Sequence, residues 1–502
     1  MKKALFFLLF LSITTSCISQ WSQVGNNLIG DASLDEFGET VAMNFTGDII
    51  AVGARFNDLA GSDYGQVKVF QLQNSSWIQL GEDLLGETSG NIGEKFGWDL
   101  DINASGTRVV VGSPLYISGP IIPGAARVFE FNGTNWSQIG GTIEGESTED
   151  FFGGSVSINS DGTRIIVGSP SNSENGTGSG QARIFEFNGS NWVQVGNAIE
   201  GETEYYAGGS DVSINGLGNR VAVGFAKNNS TNQGLGNGIV RLYELQGTIW
   251  QQIGEDIVGD AELDGFGEVI SLNTSGNRIA IGARLHNESE PYSGQVKVFE
   301  IAGNNWAQLG TDILGDESEA LGISLDLNSE GTILVIGGRA NNSTDIRKGI
   351  VRVFKLVNDT WIQYDDAIYG ESNEDEAGRG VAINGEGNYV VIGAPFADPN
   401  GESSGQARVY QNDSILSVLE FNRLFSKVKL YPNPNNGIFD ISFIENQPHV
   451  IVKIVDLLGR QVATIDYFNT HKIEVNENLK AGVYLVEITA QGVSETVRIV
   501  VE

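Results

Sequence analysis

The groups able to do chemistry in this chain are three histidines, one cysteine and 63 carboxylates, set against 30 lysines and arginines. His286, His449 and His471 lie far apart in sequence, and Cys17 stands alone near the start. No His-Glu-x-x-His and no paired Cys or His at zinc spacing occurs. Gly176-Thr177-Gly178-Ser179-Gly180 is glycine-rich, but no helical pattern follows it, so it does not read as a phosphate cradle. That leaves the carboxylates. Gly followed by an acid recurs at Asp31, Glu87, Glu146, Glu202, Asp260, Asp316 and Glu371. Most copies carry more acids just behind, so Asp31 with Asp35, Glu146 with Asp150, Asp260 with Asp264, and Glu371 with Asp375 are the candidates for holding a cation. Acid–base catalysis by these pairs is disfavoured, because they repeat, whereas an active site draws different residues from different units.

The elements that position these acids follow from a second repetition. Trp-x-Gln occurs at Trp21, Trp77, Trp136, Trp192, Trp250, Trp306 and Trp361, at intervals of 55 to 59 residues, so one structural unit has been copied. Each unit reads as four short strands. The first opens on an FG-like step such as Phe96-Gly97 and ends at an Asn followed three residues later by Gly, as in Asn103 and Gly106. That pair marks a tight hairpin turn. The second is a short apolar run ending in Gly, as in Val109 to Gly112, which suits a strand buried on both faces. The third alternates, as in Val67-Lys68-Val69-Phe70, placing Lys or Arg on the side opposite Val. The fourth is the Trp-x-Gln strand.

Four antiparallel strands repeated radially describe a β-propeller. The expected fold is all-β, a seven-bladed propeller over 21–411 followed by a small Ig-like β-sandwich over 428–502, with 412–427 as linker. The last unit lacks a Trp-x-Gln strand while the chain opens with an unattached one, so the N-terminal strand 21–25 is expected to complete the final blade.

The connection from fourth to first strand then shares a rim with the loop between strands two and three. That rim carries the ring of acids, and Arg55, Arg284 and Arg339, at positions where other units have Pro, are the expected partners of those acids. The loops between strands two and three vary most and are the natural place for binding specificity. Phe56, Tyr64, Tyr116, Tyr292 and Phe396 on them are candidate ligand-binding aromatics, suited to stacking on sugars or capping a partner.

A formal charge of −33 repels nucleic acid and anionic membranes and keeps an exported protein soluble. Met1-Lys2-Lys3 and the apolar run after it read as a signal peptide over 1–19, too short for a membrane span. Cys17 falls either within that signal or at a lipoprotein processing site, and both readings stay open. No membrane-spanning segment and no nucleic-acid partner are expected.

The FG steps, together with Gly112-Ser113-Pro114, Gly168-Ser169-Pro170 and Gly393-Ala394-Pro395, make residues 21–411 resemble FG-GAP repeats. These repeats build the propellers of integrin α chains and of many bacterial surface proteins. Integrin-type repeats carry a D-x-D-x-D-G calcium loop after the first strand. Here the Asn-x-x-Gly turn occupies that place and is too short to wrap a cation, so integrin-type calcium is not implied. No cofactor is called for, and calcium remains an option for the rim acids alone.

Past Tyr410, the sequence Tyr431-Pro432-Asn433-Pro434, then Ile454 to Arg460 with Gly459, then Leu479 to Tyr484 with Gly482, precedes an apolar closing strand. Six or seven short strands are expected. This segment is similar to the type A C-terminal sorting domain of the type IX secretion system of Bacteroidetes. The resemblance implies Sec export, recognition by the type IX machinery and delivery to the outer cell surface or beyond. The expected role is therefore non-enzymatic binding or adhesion to an extracellular glycan or protein. The alternatives are a polysaccharide-active enzyme on the same scaffold and a structural surface or matrix component.

Overall fold

The computed structural model describes residues 21–501 apart from 88–92, 120, 227–235, 288–289, 341–345, 413–428, 432–437, 457–459, 477–478 and 491–492. The signal segment, Cys17, the linker, Pro432, Asn433, Pro434 and Gly459 therefore lie outside the described residues. The chain divides into two units, Met1–Asn412 and Asp413–Glu502.

The first unit contains seven antiparallel sheets of one kind among the described residues. Each runs from a short inner strand such as Leu100–Ile102, through Arg108–Ser113 and Ala125–Phe131, to Trp136–Gln138. A further segment, here Ile143–Glu144, pairs with the same third strand. The outer strand is thus broken in two by a bulge, which the expectation of four plain strands missed. The bulge falls at a glycine and packs the sheets together. Gly81 sits at φ +77°, and a Cβ there would lie 2.9 Å from Trp136 Cδ1 of the following sheet. Trp136 Nε1 donates to Leu80 O at 2.7 Å, and Trp77, Trp192, Trp250, Trp306 and Trp361 repeat the bond to the preceding sheet.

Two features close the circle. Ser22 and Gln23 pair with Gln411 and Tyr410, and Leu28–Ile29 pairs with Ala407 and Gln406, so the leading residues form the outer strand of the last sheet. At the inner hairpins, the residue after each turn Asn donates its N–H to the same residue of the next sheet. The series runs Phe45 to Ala104, Ser160, Gly216, Thr274, Ser329, Gly385 and back to Phe45, at 2.9 to 3.2 Å. The turn asparagines hold this ring. Each is at most 2% exposed, and Asn44 Oδ1, for example, accepts the N–H groups of Gly47, Asp48 and Ile49. Their use is structural.

The second unit is one antiparallel sheet of five strands among the described residues: Lys429–Tyr431, Ile438–Asp456, Gln461–Asn476, Gly482–Ala490 and Val493–Val501. This corrects the expected six or seven short strands. Phe439 to Phe443 and Val450 onward belong to one long strand, whose pairing with its neighbour shifts between Ser442 and Gln447. Apolar side chains from both of its ends, Phe439 and Ile441 with Val452 and Ile454, meet in a single core. Gly482 opens a strand with no crowding around its Cα, so no turn demands it. Tyr484 donates its hydroxyl to Lys480 O at 2.9 Å, and Tyr431 ends the strand Lys429–Tyr431.

Candidate functional site

The rim acids are spoken for. Every acid behind the recurrent Gly pairs with the Lys or Arg of the third strand: Asp31–Lys68 at 2.6 Å, Glu87–Arg127 at 3.3 Å, Glu146–Arg183 at 3.2 Å and Glu202–Arg241 at 2.9 Å. Asp260–Lys297 at 2.6 Å, Asp316–Arg352 at 2.7 Å and Glu371–Arg408 at 3.0 Å complete the set. Six of the seven cations are buried, and Arg127 and Arg183 lie over the aromatic rings at the FG position, Phe96 and Phe152, both at 4.5 Å. Alternation had put these cations opposite Val, but their partners were misjudged, because rim proximity suggested Arg55, Arg284 and Arg339 instead.

The second acid of each candidate pair is buried and serves the loop. Asp150 and Asp375 accept backbone N–H groups from Ser147 and Ser372, both at 2.8 Å. Asp35 accepts Ala32 N–H and the Asn57 amide, and Asp264 faces His286 Nδ1 at 2.8 Å. Burial raises the Asp35 and Asp375 carboxyls above their ordinary range. Asp260 is lowered, because hydrogen bonds and charge from Lys297 and Gln295 outweigh its desolvation. His286 is itself buried. No group of three or more His, Cys, Asp or Glu gathers as a metal site among the described residues.

Of the aromatic candidates, Tyr292 is 61% exposed and Tyr64 is 7% exposed, so Tyr64 is core rather than surface. Phe56, Tyr116 and Phe396 are half-buried. Phe56 lies under Lys95 Nζ at 3.8 Å and Arg55 at 4.9 Å, and Tyr116 packs toward Arg127. They line no common depression.

One depression is axial. At the wide end of the channel, all seven sheets contribute to a cavity of about 710 Å³, and here the repeat symmetry breaks. Trp98, Glu39, Glu268 and Arg379 occupy the position just after the FG glycine, and Arg55, Arg284 and Arg339 point in from the ends of second strands. Glu39 bridges Arg379 at 3.1 Å and Arg55 at 3.4 Å; Arg284 holds Glu268 at 2.7 Å, and Arg339 holds Glu376 at 3.0 Å. Arg55 lies 4.7 Å over Trp98, whose edge meets Phe151 at 5.1 Å.

One position further in stand Asp99 and Asp211, with Asp101 and Asp326 deeper still. Inner strands each have an open edge, and these carboxylates satisfy it across the gap to the next sheet. Asp99 accepts Val156 N–H at 2.7 Å, Asp101 accepts Ile158 N–H at 2.9 Å, Asp211 accepts Ile270 N–H at 2.7 Å and Asp326 accepts Ile383 N–H at 3.0 Å. Desolvation inside the channel pushes Asp99 and Asp326 up to about 7 and Asp101 to about 6, and raises Asp211 well above its ordinary value. Sequence reading passed over these four. Their signal was polar residues at positions where a buried inner strand calls for apolar ones.

Residues 429–502 match the secretion system C-terminal sorting domain family, and residues 144–185 match the FG-GAP repeat family. The chain is an all-β propeller protein that carries a match to the FG-GAP repeat and a C-terminal secretion sorting domain. That sorting domain implies export by the type IX system to the cell surface or exterior. No curated protein matches this chain. Among solved structures, the Dos1 propeller is 10% identical, with 78% of this chain and 95% of that one covered at a TM-score of 0.41. The tricorn protease is 9% identical over 79% of this chain and 34% of its own, at 0.43. A protein described as TolB of Agrobacterium tumefaciens is 10% identical over 59% and 87%, at 0.33. The described residues contain no helix long and apolar enough to cross a membrane.

Proposed function

We propose that this FG-GAP propeller is an exported recognition protein that binds its ligand in the wide mouth of the channel, without catalysis. The observation that carries this reading is the break in symmetry. The outer rim repeats one acid–cation pair in every sheet, whereas the mouth sets unlike residues at equivalent positions: Glu39, Trp98, Glu268 and Arg379 after the FG glycine, and Arg55, Arg284 and Arg339 after the second strand in three sheets only. Specificity needs unlike groups held rigidly, and these sit on strand ends rather than on free loops. The volume falls within the roughly 300–1,000 Å³ of small-ligand pockets. Binding on the acidic rim is the less favoured reading, since the recurrent acid of every sheet already pairs with a third-strand cation.

Catalysis is the weaker alternative. The channel carboxylates accept backbone N–H groups and hold sheets together, and among the described residues the lining hydroxyls of Thr40, Ser155, Ser210 and Ser324 donate to backbone carbonyls. The test is a glycan and peptide array probed with the full chain, with Arg284→Ala/Arg379→Ala in the mouth and with Tyr292→Ala on the rim, followed by a turnover assay on any hit. Loss of hits in the mouth variant alone, without turnover, supports the reading. Hits indifferent to the mouth variant, or product release, overturn it.

A further inference from the structure

The mouth is layered. At its entrance, Arg284, Arg339 and Arg379 keep 36%, 39% and 29% of their side-chain surface exposed, and these donors outnumber the carboxylates of Glu268 and Glu39 paired with them there. Further in comes a ring of oxygens. Thr40, Ser155 and Ser324 commit their hydroxyl protons to Gly97 O, Gly209 O and Gly378 O of neighbouring sheets, at 3.0, 3.0 and 2.7 Å. They therefore present acceptors to the cavity, beside the carboxyls of Asp99 and Asp211, which accept when ionised and also donate when protonated. Trp98 adds an aromatic surface to the same wall.

A ligand that suits both layers must donate and accept at closely spaced atoms and offer a flat apolar face. A simple anion meets the arginines favourably but then the ring of acceptors, and a simple cation meets the reverse order. A pyranose matches both layers through its hydroxyls and matches Trp98 through its C–H face.

The opposite end of the channel leaves little room. Met43, Ile102, Ile158 and their equivalents line an axial space of about 140 Å³ framed by the ring of backbone hydrogen bonds. We infer that the mouth takes the end, or a short branch, of a neutral saccharide, entering along the channel axis with a sugar ring against Trp98. This inference rests on the mouth being the binding site.

The experiment titrates the full chain with neutral tetrasaccharides (β-1,3- and β-1,4-glucan, xylan, mannan and galactan series), with an oligogalacturonate and with a peptide panel. Trp98→Ala, Trp98→Phe and the Arg284→Ala/Arg379→Ala variant are run beside it, with melting curves confirming that each folds. The expected result is binding of at least one neutral tetrasaccharide, weakened about tenfold or more by Trp98→Ala and little by Trp98→Phe. Conversion of the reducing end to an alditol, or extension of the non-reducing end, changes the affinity if the end is what inserts. Two results overturn the inference. One is no neutral sugar bound at roughly millimolar concentration while the oligogalacturonate or peptides bind and lose binding in the arginine variant, which leaves the mouth reading standing. The other is sugar binding unaffected by both the Trp98 and arginine variants, which brings down both readings together.

Discussion

Replacing Arg127 by Met removes one cation of the rim ring at its most buried point. The Arg127 and Glu94 side chains are each 1% exposed, and Arg127 binds Glu94, Glu87 at 3.3 Å and Ser113 Oγ at 3.2 Å, with Phe96 beneath it. Met fills most of the volume, so the loss is electrostatic. It leaves Glu94 charged, buried and without its counter-ion, a change that costs about 3–5 kcal/mol. Burial already holds the Glu94 carboxyl above its ordinary range, even with Arg127 beside it. A raised carboxyl stabilises the fold below its unfolded pKa and loses that contribution as pH rises through its folded value. The Arg127→Met defect is therefore larger at pH 8 than at pH 5, by about 1 kcal/mol or more. Adding Glu94→Gln, which preserves the bond from Glu87 N–H, recovers most of the loss. Urea unfolding followed by tryptophan fluorescence reads this directly, because all eight tryptophans lie in the propeller. A single-variant loss below about 1 kcal/mol, or equal losses with and without Glu94→Gln, refutes the reasoning.

Four further outcomes are expected. Trp21, 6% exposed on the closing strand, loses about 3–5 kcal/mol on change to Ala. Trp21→Phe costs less than Trp77→Phe, because Trp21 Nε1 makes no hydrogen bond while Trp77 Nε1 binds Val24 O at 3.0 Å; equal costs would contradict the seam described here. Asp99, with its carboxyl raised to about 7, subtracts stability as pH climbs from about 4 to about 7, by at most about 4 kcal/mol. Asp99→Asn is accordingly less stable than wild type at pH 5, having lost one N–H acceptor, and gains on it by pH 8; parallel pH profiles would exclude this. Millimolar calcium shifts the melting temperature by less than about 1 °C, since the rim acids hold lysine or arginine already, and a rise of several degrees would reopen a cation site.

The propeller was legible because its signals are periodic. Trp-x-Gln, the FG step and Asn-x-x-Gly each recur for a packing reason, and the unpaired leading strand marked the closure. The broken outer strand was not legible, since segments as short as Leu28–Ile29 carry no pattern of their own. The rim was half legible. Sequence placed the acids together, but pairing across a sheet depends on which face each third-strand cation takes, and Lys68 had to be set beside Asp31 in space to show it. The mouth was least legible, because Trp98, Asp99 and Asp211 are departures from the repeat and a repeat-based reading averages departures away. In the sorting domain, the motifs were recognisable while strand count was not, because one long strand crossing a register shift reads as two.

Backbone hydrogen–deuterium exchange, with and without the tightest-binding array hit at saturation, tests most directly whether the mouth is the site. Slower exchange confined to inner-strand residues 39–41, 98–100, 210–212 and 268–270 is the predicted result. Protection confined to rim residues 57–64 and 171–179, with the inner strands unchanged, would contradict it.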